Sequence, residues 1–310
     1  MSSIPSVKLN SGHSFPLIGL GTFGGVDAPH QVYEATKIAL KAGYRHIDTA
    51  FVYQTEEAVG KAIKDSGIPR EEIFVTTKLT ESFHKPEHVQ PAIELSLKNL
   101  GLDYVDLYLV HWPFATEFKG FKVSSHMTGP TTRVDVPIID TWHAMEKLVD
   151  LGLAKSIGVS NFTIPLLDDI LSKGKIAPAV NQVELHPYLA QEDLVQYSKQ
   201  KGIILTAYAP LGNPGMAGKF GEKIDLLQDP VIIRLAEKYN KQPGQILLNW
   251  GLNRGYAVIP KSTNEERIKA NLVYFKMDQE DIDDLVAFDK KQTIRAFNPV
   301  KILGPEYALF

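Results

Sequence analysis

Along the chain, short apolar runs alternate with longer stretches in which apolar residues recur every three or four positions. The runs "IFVTTK" (73–78), "VDLYLVH" (105–111), "AKSIGVS" (154–160), "AVNQVE" (179–184), "IILTAYA" (203–209) and "YAVIPK" (256–261) read as strands. A strand of a parallel sheet is covered on both faces, so a near-continuous apolar run is its mark. The stretches between them predict helices over 30–42, 54–66, 86–99, 139–151, 163–172, 191–200, 230–253 and 264–273. The helical pattern at 230–253 is split at Pro243, where the chain has no amide hydrogen to donate. Adding "LIGLGT" and "YRHIDTA" brings the β/α units to eight, the number of a TIM barrel. The expected fold is therefore α/β, a (β/α)8 barrel in one domain over 1–310. Ahead of it, "VKLN" and "SFPLI" flank "NSGH", which predicts an N-terminal β-hairpin.

One local pattern argues for a different α/β fold. Gly19, Gly21 and Gly24 have the G-x-G-x-x-G spacing of a dinucleotide-binding turn, with Asp48 downstream where a ribose ligand would stand. A Rossmann domain begins with a buried strand that runs straight into that turn. A hairpin start and eight units favour the barrel, in which Gly19 and Gly21 lie on the first strand.

Composition narrows the class of function. The 310 residues, 44% of them hydrophobic, can bury a large core. There is no cysteine, which excludes disulfides, thiolate metal sites and cysteine nucleophiles, and suits a reducing compartment such as the cytoplasm. Lys and Arg number 33 against 36 Asp and Glu, without long blocks of one sign, so nucleic acid and anionic membrane are not expected partners. The first residues lack the pattern of a signal peptide, and no apolar run reaches the roughly 18 residues that span a bilayer.

The ends of the proposed strands carry the chemistry. Thr22, Asp48, Lys78, His111, Ser160, Gln182, Tyr208 and Lys261 stand at their C-terminal ends, the end at which TIM barrels build active sites. Asp48, Lys78 and His111, with Tyr53 on the loop after Asp48, form a coherent group. A lysine ammonium beside a phenol lowers its pKa from about 10, and an aspartate keeps that lysine charged. His111 is then placed to donate a hydrogen bond to an oxygen that gains negative charge. Such a group suits hydride addition to a carbonyl.

At these residues the chain resembles the aldo-keto reductases. "GYRHIDTAFVYQTEEAVG" (43–60), "LDYVDLYLVHWP" (102–113), "GVSNF" (158–162), "NQVELHP" (181–187), "AYAPLG" (207–212) and "IPKSTNEERIKAN" (259–271) are similar to its signature blocks, in order and over nearly the whole chain. The resemblance implies a catalytic tetrad of Asp48, Tyr53, Lys78 and His111, with Tyr53 as proton donor. It implies that Thr22, Phe23, Asp48, Ser160, Asn161 and Gln182 border the nicotinamide half of a bound cofactor, with Tyr208 stacked on the ring. Ala209, Leu211 and Gly212 follow as contacts. It also implies that Lys261, Ser262, Thr263, Asn264, Arg267 and Asn271 hold the adenosine end with its 2'-phosphate, making NADPH (NADP+) the expected cofactor and NADH a weaker alternative. A lysine point charge and an arginine fork near a helix N-terminus capped by Asn264 suit a dianionic phosphate on physical grounds too.

Phe23, Tyr53, His111 and Trp112 are the expected substrate wall, with Phe23 where many relatives carry tryptophan. Ala270 replaces the acid that many relatives place near the adenine amino group. The long connections 112–137 and 212–229 read as substrate and cofactor loops, and the tail 295–310, with Phe297, Tyr307 and Phe310, as a further border of the pocket. The expected partner is a small-molecule carbonyl compound such as an aldose, a glyceraldehyde-like aldehyde or a uronate, and the expected state a monomer or weak dimer. Two other functions fit parts of the pattern: an NADPH-binding sensor on the same barrel, and a metal-dependent barrel hydrolase using His46, Asp48, Glu184 and His186.

Overall fold

The computed structural model describes residues 4–24, 28–122, 131–213, 225–298 and 300. The chain opens with an antiparallel hairpin, β1 (Ser6–Lys8) and β2 (Ser14–Pro16), in which Val7 pairs with Phe15. Gly12 turns it at φ 83°, a conformation that glycine adopts without strain. There follow β3 (Leu20–Gly21), α1 (Pro29–Ala42), β4 (His46–Asp48), α2 (Glu56–Ser66), β5 (Phe74–Leu79), α3 (Pro86–Leu100) and β6 (Val105–Val110). A two-residue ribbon, β7 (Ala115–Thr116) with β8 (Arg133–Val134), precedes α4 (Ile138–Asp150). The barrel resumes with β9 (Ala154–Ser160), α5 (Ile164–Lys173), β10 (Val180–Glu184), α6 (Glu192–Lys201) and β11 (Ile204–Tyr208). It ends with α7 (Pro230–Tyr239), α8 (Pro243–Asn253), β12 (Ala257–Val258), α9 (Glu265–Ala270) and α10 (Gln279–Lys291).

The eight strands β3, β4, β5, β6, β9, β10, β11 and β12 lie side by side in that order, each parallel to its neighbours. The sheet closes on itself where Ile18 bridges Val258, with hydrogen bonds from Gly19 N to Val258 O (2.9 Å) and from Val258 N to Leu17 O (2.8 Å). The expected (β/α)8 barrel is thus the observed one. Gly21 is needed at this seam rather than at a phosphate, since a Cβ there would lie 2.8 Å from Ile259 O. Gly19 is equally confined: its Cβ would meet His46 Nδ1 at 2.6 Å.

The hairpin plugs the N-terminal end of the barrel. Phe15 is fully buried, its ring 4.9 Å from those of both His46 and Phe74. Asn10 and Ser11 reach across that face to Ala177 O and the Ser156 hydroxyl. With one end plugged, the opposite end, where β4, β5, β9, β10 and β11 finish, is left to form a cleft.

Four features differ from the sequence expectation. β12 is only two residues long, and α9 spans six residues rather than ten. The helix α10 was not expected, because acidic and basic residues dominate "QEDIDDLVAFDKK" and its buried residues include only three large apolar ones, Ile282, Leu285 and Phe288. The ribbon β7–β8 likewise lies within what reads as one long loop.

Candidate active site

Asp48 ends β4, and alternation along β5 sends Lys78 into the barrel while its neighbour Thr77 donates outward to Glu56 Oε1 (2.7 Å). Lys78 is fully buried and gives its Nζ hydrogens to Asp48 Oδ1 at 2.6 Å and Thr49 O at 2.8 Å. The second carboxylate oxygen of Asp48 accepts from Gln182 Nε2 at 2.6 Å. A buried ion pair persists only with its remaining hydrogen bonds satisfied, and these contacts supply them.

Tyr53 closes a single 3-10 turn, Phe51–Tyr53, anchored by buried Phe51 and Val52 and ended by Gln54 at φ 55°. Its ring centre stands 5.2 Å from Lys78 Nζ and 5.8 Å from the His111 ring, nearly perpendicular to the latter. Phe23 lies 5.0 Å from it, and Trp112 stacks on His111 at 6.5 Å. The four residues expected as a tetrad therefore meet at one point, with Phe23 and Trp112 as walls.

The protonation expected of Tyr53 needs correction. Desolvation holds the phenol well above 10, and the negative charges of Asp48 and Glu81 push it further the same way. The Lys78 ammonium, 5.2 Å from the ring, gives its hydrogens to Asp48 and Thr49. Burial lowers Lys78 below its ordinary value, with Asp48 and Glu56 acting against that shift. At neutral pH Tyr53 is consequently a protonated phenol.

Next to this group, Ser160, Asn161, Gln182 and Tyr208 form a hydrogen-bonded rim. Ser160 Oγ donates to Gln182 O (2.8 Å), and Asn161 Nδ2 donates to His111 O (2.9 Å). The Tyr208 hydroxyl donates to Asn161 Oδ1 at 2.8 Å. Asn161 takes φ 65°, a left-handed conformation that a short amide side chain tolerates, and Ala209 takes φ 47°. Thr22 Oγ1 donates to Asp48 O (2.9 Å).

These residues border a cleft of about 590 Å³ that runs from Tyr53 and His111, past Tyr208, Ala209 and Leu211, to Lys261, Ser262, Thr263, Arg267 and Asn271. Two expected residues serve beside the cleft. Asn264 caps α9, its Oδ1 accepting from Arg267 N at 2.9 Å, and Gly212 turns the loop after β11 at φ 72°. With only six residues and Glu265 and Glu266 in its first turn, α9 contributes little dipole of its own, so the positive charge at this end comes from Lys261 and Arg267. Neither cation is paired with a carboxylate among the described residues. The N-terminus of α8 adds a wall through Gln242, Pro243, Gly244 and Gln245, which the sequence reading passed over. The signal for it was the reciprocal capping of Gln242 and Gln245.

The donor set fits a nicotinamide dinucleotide. Hydroxyls and amides in mid-cleft suit a carboxamide, Tyr208 offers an aromatic face, and two cations at the far end suit a phosphate. The rival metal reading is not supported. His46 lies at the plugged end, held neutral with its pKa lowered to about 4 by burial, with Nδ1 against Pro16 O and Nε2 against the Thr76 hydroxyl. Asp48 is committed to Lys78 and Gln182, and Glu184 and His186 bond to each other at 2.9 Å. Of the expected loops, 123–130 and 214–224 lie outside the described residues, as do Tyr307 and Phe310 of the tail.

Fold and cleft together define a TIM-barrel protein whose cleft holds a buried Asp48–Lys78 pair beside Tyr53 and His111 at its inner end. The family model described as "Aldo/keto reductase family" matches residues 17–290. The chain belongs to that family. It is 45% identical over 297 residues to glycerol 2-dehydrogenase (NADP(+)) of Saccharomyces cerevisiae, covering 92% of this chain and 91% of that one. It is 47% identical over 275 residues to aldo-keto reductase family 1 member A1 of Gallus gallus, covering 87% and 83%. Among solved structures, a Bombyx mori aldo-keto reductase in complex with NADP superposes with a TM-score of 0.88, at 39% identity and 97% coverage of each chain.

Proposed function

We propose that this protein is an NADP(H)-dependent reductase of aldehydes or ketones, with Asp48, Tyr53, Lys78 and His111 as its catalytic group. The observation that carries the reading is the buried Lys78–Asp48 pair beside a protonated Tyr53 at the inner end of the cleft. The NADP named for the yeast relative and for the silkworm complex supports the cofactor.

The nicotinamide, when bound, supplies the hydride that the carbonyl carbon receives. The Tyr53 hydroxyl gives its proton to the carbonyl oxygen, and the phenolate left behind faces the Lys78 ammonium. Asp48 keeps that ammonium charged in a buried place where desolvation works against it. His111 donates to the same oxygen as charge builds on it, and Phe23 and Trp112 exclude water. Ser160, Asn161 and Gln182 would hold the carboxamide and Tyr208 would offer the ring its aromatic face, with Thr22 and Phe23 bordering the same part of the cleft. Ala209, Leu211 and Gly212 would continue the contacts along the cleft. Lys261, Ser262, Thr263, Arg267 and Asn271 hold the adenosine end with its 2'-phosphate, and Asn264 shapes that end by capping α9.

The substrate is a small carbonyl compound, and a reducing compartment such as the cytoplasm suits a chain without cysteine. Among the described residues no helix is long and apolar enough to cross a membrane. A monomer or weak dimer is the state we propose, for which sedimentation supplies the mass. NADPH oxidation with a reactive aromatic aldehyde tests the function: saturable NADPH binding without turnover would replace it with that of a sensor. The phenol is tested by Tyr53→Phe, expected to lose at least about 100-fold in kcat while NADPH still quenches tryptophan fluorescence. Near-wild-type turnover in that variant would overturn the tetrad.

A further inference from the structure

Glu184 and His186, which the reaction does not use, are fully buried at the end of β10. A carboxylate in that position costs stability unless its oxygens are occupied. They are occupied by the chain's own C-terminal segment: Glu184 Oε1 accepts from Ala296 N at 2.8 Å, and Oε2 from Phe297 N at 2.9 Å. His186 Nε2 donates to Oε1 at 2.9 Å, which orients the carboxylate. Ile294 N donates to Tyr188 O at 2.8 Å, so the segment is pinned on both sides of Arg295, itself within electrostatic reach of Glu184, Tyr208 and Asp289.

The pinned segment has a consequence at the cleft. Phe297 meets the Tyr208 ring edge-on at 5.4 Å, and both residues line the groove. Glu184 is the register partner of Tyr208 across β10 and β11, so a single carboxylate lies beside the tyrosine and holds the residue packed on its ring. The two oxygens of one carboxylate receive two successive backbone N–H groups. A glutamine retains one acceptor and presents two hydrogens where the second was, leaving a buried N–H unmet.

We propose that Glu184 is a positioning residue that clamps the segment 294–297 to the barrel mouth and thereby sets the Phe297–Tyr208 wall of the cleft. The inference rests on the cleft being the cofactor and substrate site. Releasing the clamp loosens the wall without touching Asp48, Tyr53, Lys78 or His111. The effect therefore falls on binding more than on the chemical step.

The test compares the wild type with Glu184→Gln and Phe297→Ala in the full-length protein. Amide hydrogen exchange of Ala296 and Phe297 is expected to quicken at least tenfold in Glu184→Gln while core amides of β5 and β6 keep their protection. NADPH dissociation constants and the KM for an aromatic aldehyde are expected to rise several-fold, more than kcat falls. Phe297→Ala leaves the buried carboxylate in place and is expected to reproduce the binding losses, with the double variant less than additive. Unchanged exchange at Ala296 and Phe297, or binding losses in the two variants that simply add, would overturn the clamp. Failure of the functional reading is separable from this, because a wild type that neither binds nor oxidises NADPH leaves the exchange comparison intact.

Discussion

In the proposed reaction Tyr53 is the proton donor, and its environment sets a direction for pH dependence. Burial and the charges of Asp48 and Glu81 keep the phenol protonated well above its ordinary value. Carbonyl reduction consumes the protonated form, so its rate is expected to stay level across neutral pH and to fall only above the ordinary tyrosine range of about 10. Alcohol oxidation needs the phenolate and is expected to rise with pH over the same region. Initial rates in both directions across a pH series check this; a reduction rate that falls through neutrality would mean the phenol is not the donor. The types of the tetrad residues are readable along the chain, since Asp48, Lys78 and His111 each stand at a strand end. The protonation state of Tyr53 is not, because it depends on burial and on the charges of Asp48 and Glu81 around it, which are facts of three-dimensional neighbourhood.

At the scale of elements, alternation along β5 turns Lys78 inward, and strand ends present Ser160, Gln182 and Tyr208 on one rim. The far end of the cleft is different. There α9 is a short helix with an acidic first turn, and the positive charge comes from Lys261 before it and Arg267 on it, the cations proposed to meet the 2'-phosphate. Lys261→Ala with Arg267→Ala is expected to weaken NADPH by at least about 1–3 kcal/mol, the scale of lost charge-assisted hydrogen bonds, and NADH far less. Titration of both cofactors by fluorescence measures the difference, and equal losses would remove the 2'-phosphate role. The helix α10 escaped the sequence reading because few large apolar residues bury it. The clamp at Glu184 escaped because "VELHP" in isolation reads as well for a metal pair as for a backbone anchor. What distinguishes them is the arrival of Ala296 and Phe297, more than a hundred residues away.

In its described residues the molecule is a barrel plugged at one end with a cleft at the other, and its stability carries the mark of buried histidines. His46 on β4 at the plugged end and His84 after β5 are both held near pKa 4, chiefly by burial. An unfolded histidine titrates near 6.5, so below that pH the unfolded chain binds protons that the folded one refuses. Stability is complete above about 6.5 and falls as pH drops toward 4, by about 1.4 kcal/mol per pH unit for each fully buried histidine. Denaturant midpoints from pH 7 to 4 are expected to decline in that window, and His84→Gln is expected to flatten the slope. A slope unchanged by the substitution would place the acid sensitivity elsewhere.

By itself, the sequence determined the eight-unit alternation, the N-terminal hairpin and the residue types at the strand ends, because these follow from local burial and from periodicities of two and 3.6 residues. It also offered a glycine spacing that imitated a dinucleotide turn, and only barrel closure showed why glycines stand there: Gly19 abuts His46, and Gly21 the backbone of Ile259. Tertiary structure alone decided which charges neutralise one another, that Tyr53 remains protonated, and that Glu184 holds the C-terminal segment. Those outcomes depend on contacts between residues far apart in the chain and on the loss of water around them. Neither leaves a period or a spacing in the sequence.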